Sequence, residues 1–66
     1  MSRGRPRAVI RDDGRRYRSA KAAALDMMRE WGVAADIGTA YTMGSNIGKA
    51  ARGVTRTAYG HEWWAL

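Results

Sequence analysis

The sequence predicts a small α+β domain, with a β-hairpin and a C-terminal strand packed against two or three short helices. Three observations predict it. The turn signal Asp13-Gly14 stands between β-prone residues. The run from Ser19 to Gly32 is rich in Ala, Leu and Met, with apolar residues at helical spacing. A second turn signal, Tyr59-Gly60, leads into Trp63-Trp64, a short aromatic tail suited to a strand.

The elements follow in chain order. Residues 1–7 (MSRGRPR) read as a disordered basic arm, because Gly4 and Pro6 oppose helix between Arg3, Arg5 and Arg7. Residues 8–66 then form a single domain. Ala8 to Arg18 reads as the hairpin, turning at Asp13-Gly14 in a two-residue type I′ turn. Val9, Ile10 and Tyr17 supply its β-prone flanks, and Arg11, Arg15, Arg16 and Arg18 line its exposed face and edges. Asp12 and Asp13 read as turn-formers.

Ser19 is the N-cap of the first helix, whose hydroxyl takes an unpaired N–H of the first turn. Ala20, Ala24, Met27, Met28 and Trp31 make its buried stripe, and small Ala20 and Ala24 let another helix approach closely. Beyond Gly32, Asp36 is placed to cap a short helix over Ile37 to Met43, although a loop with one helical turn fits as well. Ser45 then caps a separate helix that Gly53 ends. Ile47 and Ala51, with Val54 just beyond, face inward from it, and Asn46, Lys49 and Arg52 face outward. A single helix through both segments is the other option, since Ile37, Tyr41, Gly44, Ile47 and Ala51 share a face. Gly38, Gly44 and Gly48, each costing up to ~1 kcal/mol relative to Ala, favour separate pieces. In the tail, alternation puts Trp63 and Trp64 on opposite faces, one of them sealing the core.

Size and charge limit what such a domain does. Sixty-six residues bury only ~60% of the surface of the unfolded chain, so stability is marginal without help. With no Cys and one His, disulfides and Cys- or His-based metal sites are not expected, nor is any cofactor. Neither a triad nor a partnered catalytic carboxylate is visible, so no enzymatic activity is expected. Twelve Lys or Arg against six Asp or Glu leave a formal charge of +6, which favours polyanionic partners. Met1 to Ser19 alone holds seven Arg against two Asp, five of those six net charges. No apolar run spans a bilayer, and no apolar stretch after the basic N-terminus makes a signal peptide, so a cytoplasmic location is expected.

The succession of these pieces resembles the intron-encoded nuclease repeat, a nuclease-associated modular DNA-binding domain found in homing endonucleases and phage proteins. The resemblance runs through Val9-Ile10, Asp13-Gly14, Tyr17, Ser19 and Ala22-Ala23. It continues through Ser45-x-Ile47, Ala51-Arg52-Gly53, Tyr59-Gly60 and Trp63, roughly residues 8 to 65. It implies a helix-turn-helix-like fold whose second helix enters the major groove. Ser45, Asn46, Lys49 and Arg52 are implicated there, with Arg56 as a phosphate contact. The chain departs from the pattern in about ten extra residues between the helices and in the absence of a nuclease.

The function expected is therefore that of a free-standing double-stranded DNA-binding protein, a phage regulator or accessory factor. The helix over residues 45–53 would read bases, with Asn46 and Arg52 as the best placed readers. Arg3, Arg5 and Arg7 of the arm, with the hairpin arginines, would hold phosphates or the minor groove. A homodimer on paired half-sites is compatible with this. The alternative is an interaction protein that binds and inhibits a host protein through Tyr41, Tyr59 and Trp63-Trp64.

Overall fold

The structure, a computed structural model, describes residues 7–66. The arm residues Arg3 and Arg5, and the disorder expected of residues 1–6, lie outside them. The chain runs β1 (Val9–Arg11), β2 (Arg16–Tyr17), α1 (Ala20–Glu30), α2 (Ile37–Ala51) and β3 (Trp63–Ala65). The strands form one antiparallel sheet in the order β2-β1-β3, and both helices pack with it, so the α+β class is borne out.

The hairpin forms, with a turn one residue longer than expected. Val9 pairs with Tyr17 and Ile10 with Arg16. The Gly14 N–H donates to the Arg11 carbonyl at 2.8 Å, and the Arg11 N–H to the Arg15 carbonyl at 2.9 Å. Asp12 and Asp13 therefore occupy the centre of the turn. Gly14 follows at φ +92°, the left-handed residue of a three-residue loop. Only Gly14 needs positive φ here, so Asp13 is free to use its side chain elsewhere.

Ser19 caps α1 as expected, its Oγ accepting from the Ala22 N–H at 3.0 Å. Ala23, Ala24, Met27 and Met28 are the buried face of α1. Trp31 departs from the expected stripe. It lies past the last turn, half exposed, with its ring edge-on to Tyr59 at 5.8 Å.

The larger correction concerns residues 37–51, which form one helix. Asp36 is the N-cap, accepting from the Thr39 N–H at 2.8 Å, and Ser45 sits in mid-helix with no capping role. The reason is tertiary. Ala40, Met43, Gly44, Ile47 and Ala50 are buried on one continuous face, and packing of an apolar face outweighs intrinsic propensity. Gly44 is part of that packing. A Cβ at Gly44 would come within 3.2 Å of the Lys21 Cα and N, so the missing side chain lets α2 cross against the start of α1. Val54, expected to face inward, is exposed beyond the helix end, and Ala50 fills the inward position.

The tail closes the domain. Tyr59 and Gly60 both take positive φ, 55° and 81°, in a two-residue turn between the bridged residues Ala58 and His61. β3 then pairs along β1, Arg11 opposite Trp63 and Ile10 opposite Trp64. Trp63 is buried and its Nε1–H donates to the Ala58 carbonyl at 2.9 Å, whereas Trp64 faces outward, as the alternation requires.

Candidate nucleic-acid interface

Ten of the twelve cations lie among the described residues, and the fold sorts them. Arg11 points inward from β1 and is only 3% exposed. Its guanidinium makes two forked ion pairs. Nε and Nη2 donate to Asp13 at 3.0 and 2.6 Å, and Nη1 and Nη2 donate to Glu30 at 3.3 and 3.1 Å. Bidentate pairing of this kind is the strong form of charge-assisted hydrogen bond. It keeps the Arg11 cation charged despite burial and holds the Asp13 carboxyl far below the usual range. The expectation that Arg11 lines the exposed face is thus corrected. It ties the hairpin to the C-terminal end of α1.

Arg15 remains on the surface but is also engaged, reaching Glu30 at 2.6 Å and Asp26 at 3.3 Å. Asp26 further accepts from the Tyr17 hydroxyl and from Arg29, at 2.6 and 2.7 Å, which lowers its pKa. On the tail side, Asp12 meets His61 Nδ1 at 2.8 Å and accepts from the Glu62 N–H at 3.0 Å. The Glu62 N–H first, and His61 next, depress the Asp12 carboxyl. Four of the six carboxylates are consumed on this side of the molecule. The Arg-rich hairpin is therefore not the concentration of free positive charge that its sequence suggests.

Among the described residues, Arg7, Arg16, Arg18, Lys21, Lys49, Arg52 and Arg56 join no ion pair. Three of them converge. Arg7 before β1, Lys21 in the first turn of α1 and Arg52 at the end of α2 line one open groove of about 870 Å³. No carboxylate lines it. The small residues Gly44, Gly48, Ala20 and Ala51 also line it, as do the hydroxyl-bearing Ser19, Tyr41 and Ser45. The small lining residues leave the groove open, and the helix crossing at Gly44 brings Lys21 beside α2.

Sequence-predicted residues divide accordingly. Arg7, Ser45 and Arg52 share the groove. Lys49 is exposed and lies one helical turn beyond Ser45, on the same outward stripe as Tyr41 and Arg52. Asn46 stands off that stripe, its Nδ2 donating to the Tyr59 hydroxyl at 2.9 Å. Arg56 lies apart, in a hollow with Val54 and Trp64, and Arg16 belongs to the sheet. Sequence reasoning missed Lys21, Ser19 and Tyr41 as groove residues. The signal was present in the small residues Ala20 and Gly44, which mark where the two helices touch.

Among the described residues no group of acidic, His or Cys side chains is placed to hold a metal ion, and no helix is long and apolar enough to cross a membrane. Comparison of the chain with protein-family models, curated proteins and solved structures finds no match.

Proposed function

We propose that this protein binds double-stranded DNA through the outward stripe of α2 and the basic groove beside it. The observation that carries the reading is the convergence of Arg7, Lys21 and Arg52, from three separate segments, on a groove that no carboxylate lines. Three cations brought together against like-charge repulsion favour a polyanion as the occupant. The stripe Tyr41, Ser45, Lys49 and Arg52 advances about 17 Å along α2 at 1.5 Å per residue, a length suited to lying in a major groove. In this arrangement Arg52 reads a base edge, Ser45 and Lys49 support it, and Arg7 and Lys21 hold flanking phosphates. Asn46, a base-reading candidate by residue type, serves as a brace to Tyr59.

The test is selection from a random duplex pool, followed by affinity measurement on the enriched sequence. Arg52→Ala is expected to lose about 1–3 kcal/mol on that sequence and to relax preference at one position. Lys21→Ala is expected to weaken all sequences alike and to lower the salt slope by about one. Wild-type affinity in both variants would overturn the reading.

A further inference from the structure

The face of the sheet turned away from the helices carries side chains that the duplex reading does not use. Side chains alternate along a strand, so residues that do not enter the core project from this outer face. Ile10 of β1 stands opposite Arg16 of β2 on one side and opposite Trp64 of β3 on the other. Arg16, Ile10 and Trp64 thus make one row across all three strands: cation, aliphatic, indole. Trp64 is 49% exposed, although its neighbour Trp63 is sealed in the core. Arg16 is exposed, as is Arg18 two residues further on, and neither joins an ion pair among the described residues. Two carboxylates border this face. Asp12 is held by His61 and by the Glu62 N–H, and Glu62 itself lines a hollow with Trp64 and the free cation Arg56.

We propose that this outer face docks a single-stranded nucleic-acid segment. A base stacks on the Trp64 indole beside Ile10, and phosphates of the same strand lie against Arg16 and Arg18. Arg16 and Trp64 are two strand spacings apart, about 10 Å, which an extended Arg side chain and one nucleotide together bridge. An exposed indole flanked by free cations is the combination that binds unpaired strands without reading sequence. A duplex covers its base faces with neighbouring pairs and leaves the indole nothing to stack on. A second copy of this chain would bring its own positive charge against Arg16 and Arg18. The groove lies on the other side of the sheet, where Val9 and Ala65 contribute to its lining, so this site stands or falls independently of the duplex reading.

The experiment measures fluorescence anisotropy of a short labelled oligothymidylate and, separately, of a labelled duplex, at one moderate salt concentration. Trp64→Ala is expected to weaken oligothymidylate binding roughly 5- to 100-fold and to leave duplex binding unchanged. Trp64→Phe, which keeps a stacking face, is expected to restore most of it. Arg16→Ala is expected to weaken the same probe and flatten its salt dependence. Circular dichroism and thermal melting confirm that each variant folds. Oligothymidylate affinity insensitive to Trp64→Ala, or no oligothymidylate binding by the wild-type chain, would overturn the proposal. Self-association abolished by Trp64→Ala, without oligothymidylate binding, would also overturn it, because the face would then be a protein contact. Loss of duplex binding in Arg52→Ala alone would leave this proposal untouched, so the two readings fail separately.

Discussion

The hairpin and the groove are both arginine-bearing surfaces, yet they use their charge in opposite ways. At the hairpin, Arg11 and Arg15 meet Asp13, Asp26 and Glu30 at 2.6–3.7 Å. In the groove, Arg7, Lys21 and Arg52 meet no carboxylate. Charge density along the chain points to the whole hairpin, whereas folding pairs Arg11 and Arg15 and leaves Arg16 and Arg18, with the groove cations, unpaired. A basic segment identifies a binding surface only once its acidic partners in space are known. Here α1 supplies those partners from one end, Asp26 and Glu30, and presents Lys21 to the groove from the other.

The comparison breaks most easily at Arg11. Arg11→Ala is expected to lose about 2–3 kcal/mol of stability, because it removes the buried guanidinium's charged hydrogen bonds, leaves the partly exposed Asp13 and Glu30 to Arg15 alone and uncovers Met27. On a domain of this size that approaches the whole stability, and urea unfolding would register it. Arg52→Ala, in contrast, is expected to move stability by less than about 0.5 kcal/mol and to act on binding. A stable Arg11→Ala protein with impaired DNA binding would reverse the two roles.

At the helix crossing, Gly44→Val is expected to cost about 2 kcal/mol, since its side chain meets backbone atoms of Lys21 and Ala20 at 3.2–3.4 Å. Part of that loss should appear as weaker duplex binding, because Lys21 moves with α1.

Acid offers a graded test. Asp26 and Asp13 have pKa values lowered in the folded state, by Tyr17 first and by Arg11 first, respectively. A carboxylate with a lowered folded pKa contributes stability that is present above its unfolded value, about 3.9. That contribution is lost as pH falls through the folded value. Thermal melts are therefore expected to hold level down to about pH 5 and to decline below pH 4. Asp26→Asn should flatten the decline. The groove, having no carboxylate, takes no part in it.

The smallest effect is of opposite sign. A Cβ at Gly48 meets only the Arg52 guanidinium, at an ordinary 3.5 Å. Gly48→Ala is accordingly expected to stabilise α2 by up to ~1 kcal/mol, measured as a rise in melting temperature. A fall would mean that Gly48 is constrained by more than helix propensity.

Several features were legible from local chemistry alone. Ser19 and Asp36 cap where their side chains and positions indicate, and Gly14 and Gly60 turn the chain. Alternation separates Trp63 from Trp64. Each depends on a few neighbouring residues, so a stretch of sequence contains all the information it needs. Ser45 is the counterexample. As a residue type it suits a cap, and the three glycines around it argue for a break. The continuous helix exists because five residues of α2 are buried together, and Gly44 is favourable there only because α1 lies against it.

The sequence by itself determined the class of fold, the caps, the turns and the surplus of positive charge. These follow from backbone preference, side-chain hydrogen bonding and composition, all of which act locally or sum over the chain. Only the tertiary structure decided which arginines remain free, that Asn46 is tied to Tyr59, and that Lys21 stands beside α2. Those outcomes depend on groups far apart in sequence meeting at hydrogen-bond distance. Coulomb pairing and close packing act over a few ångströms of space, whatever the separation along the chain.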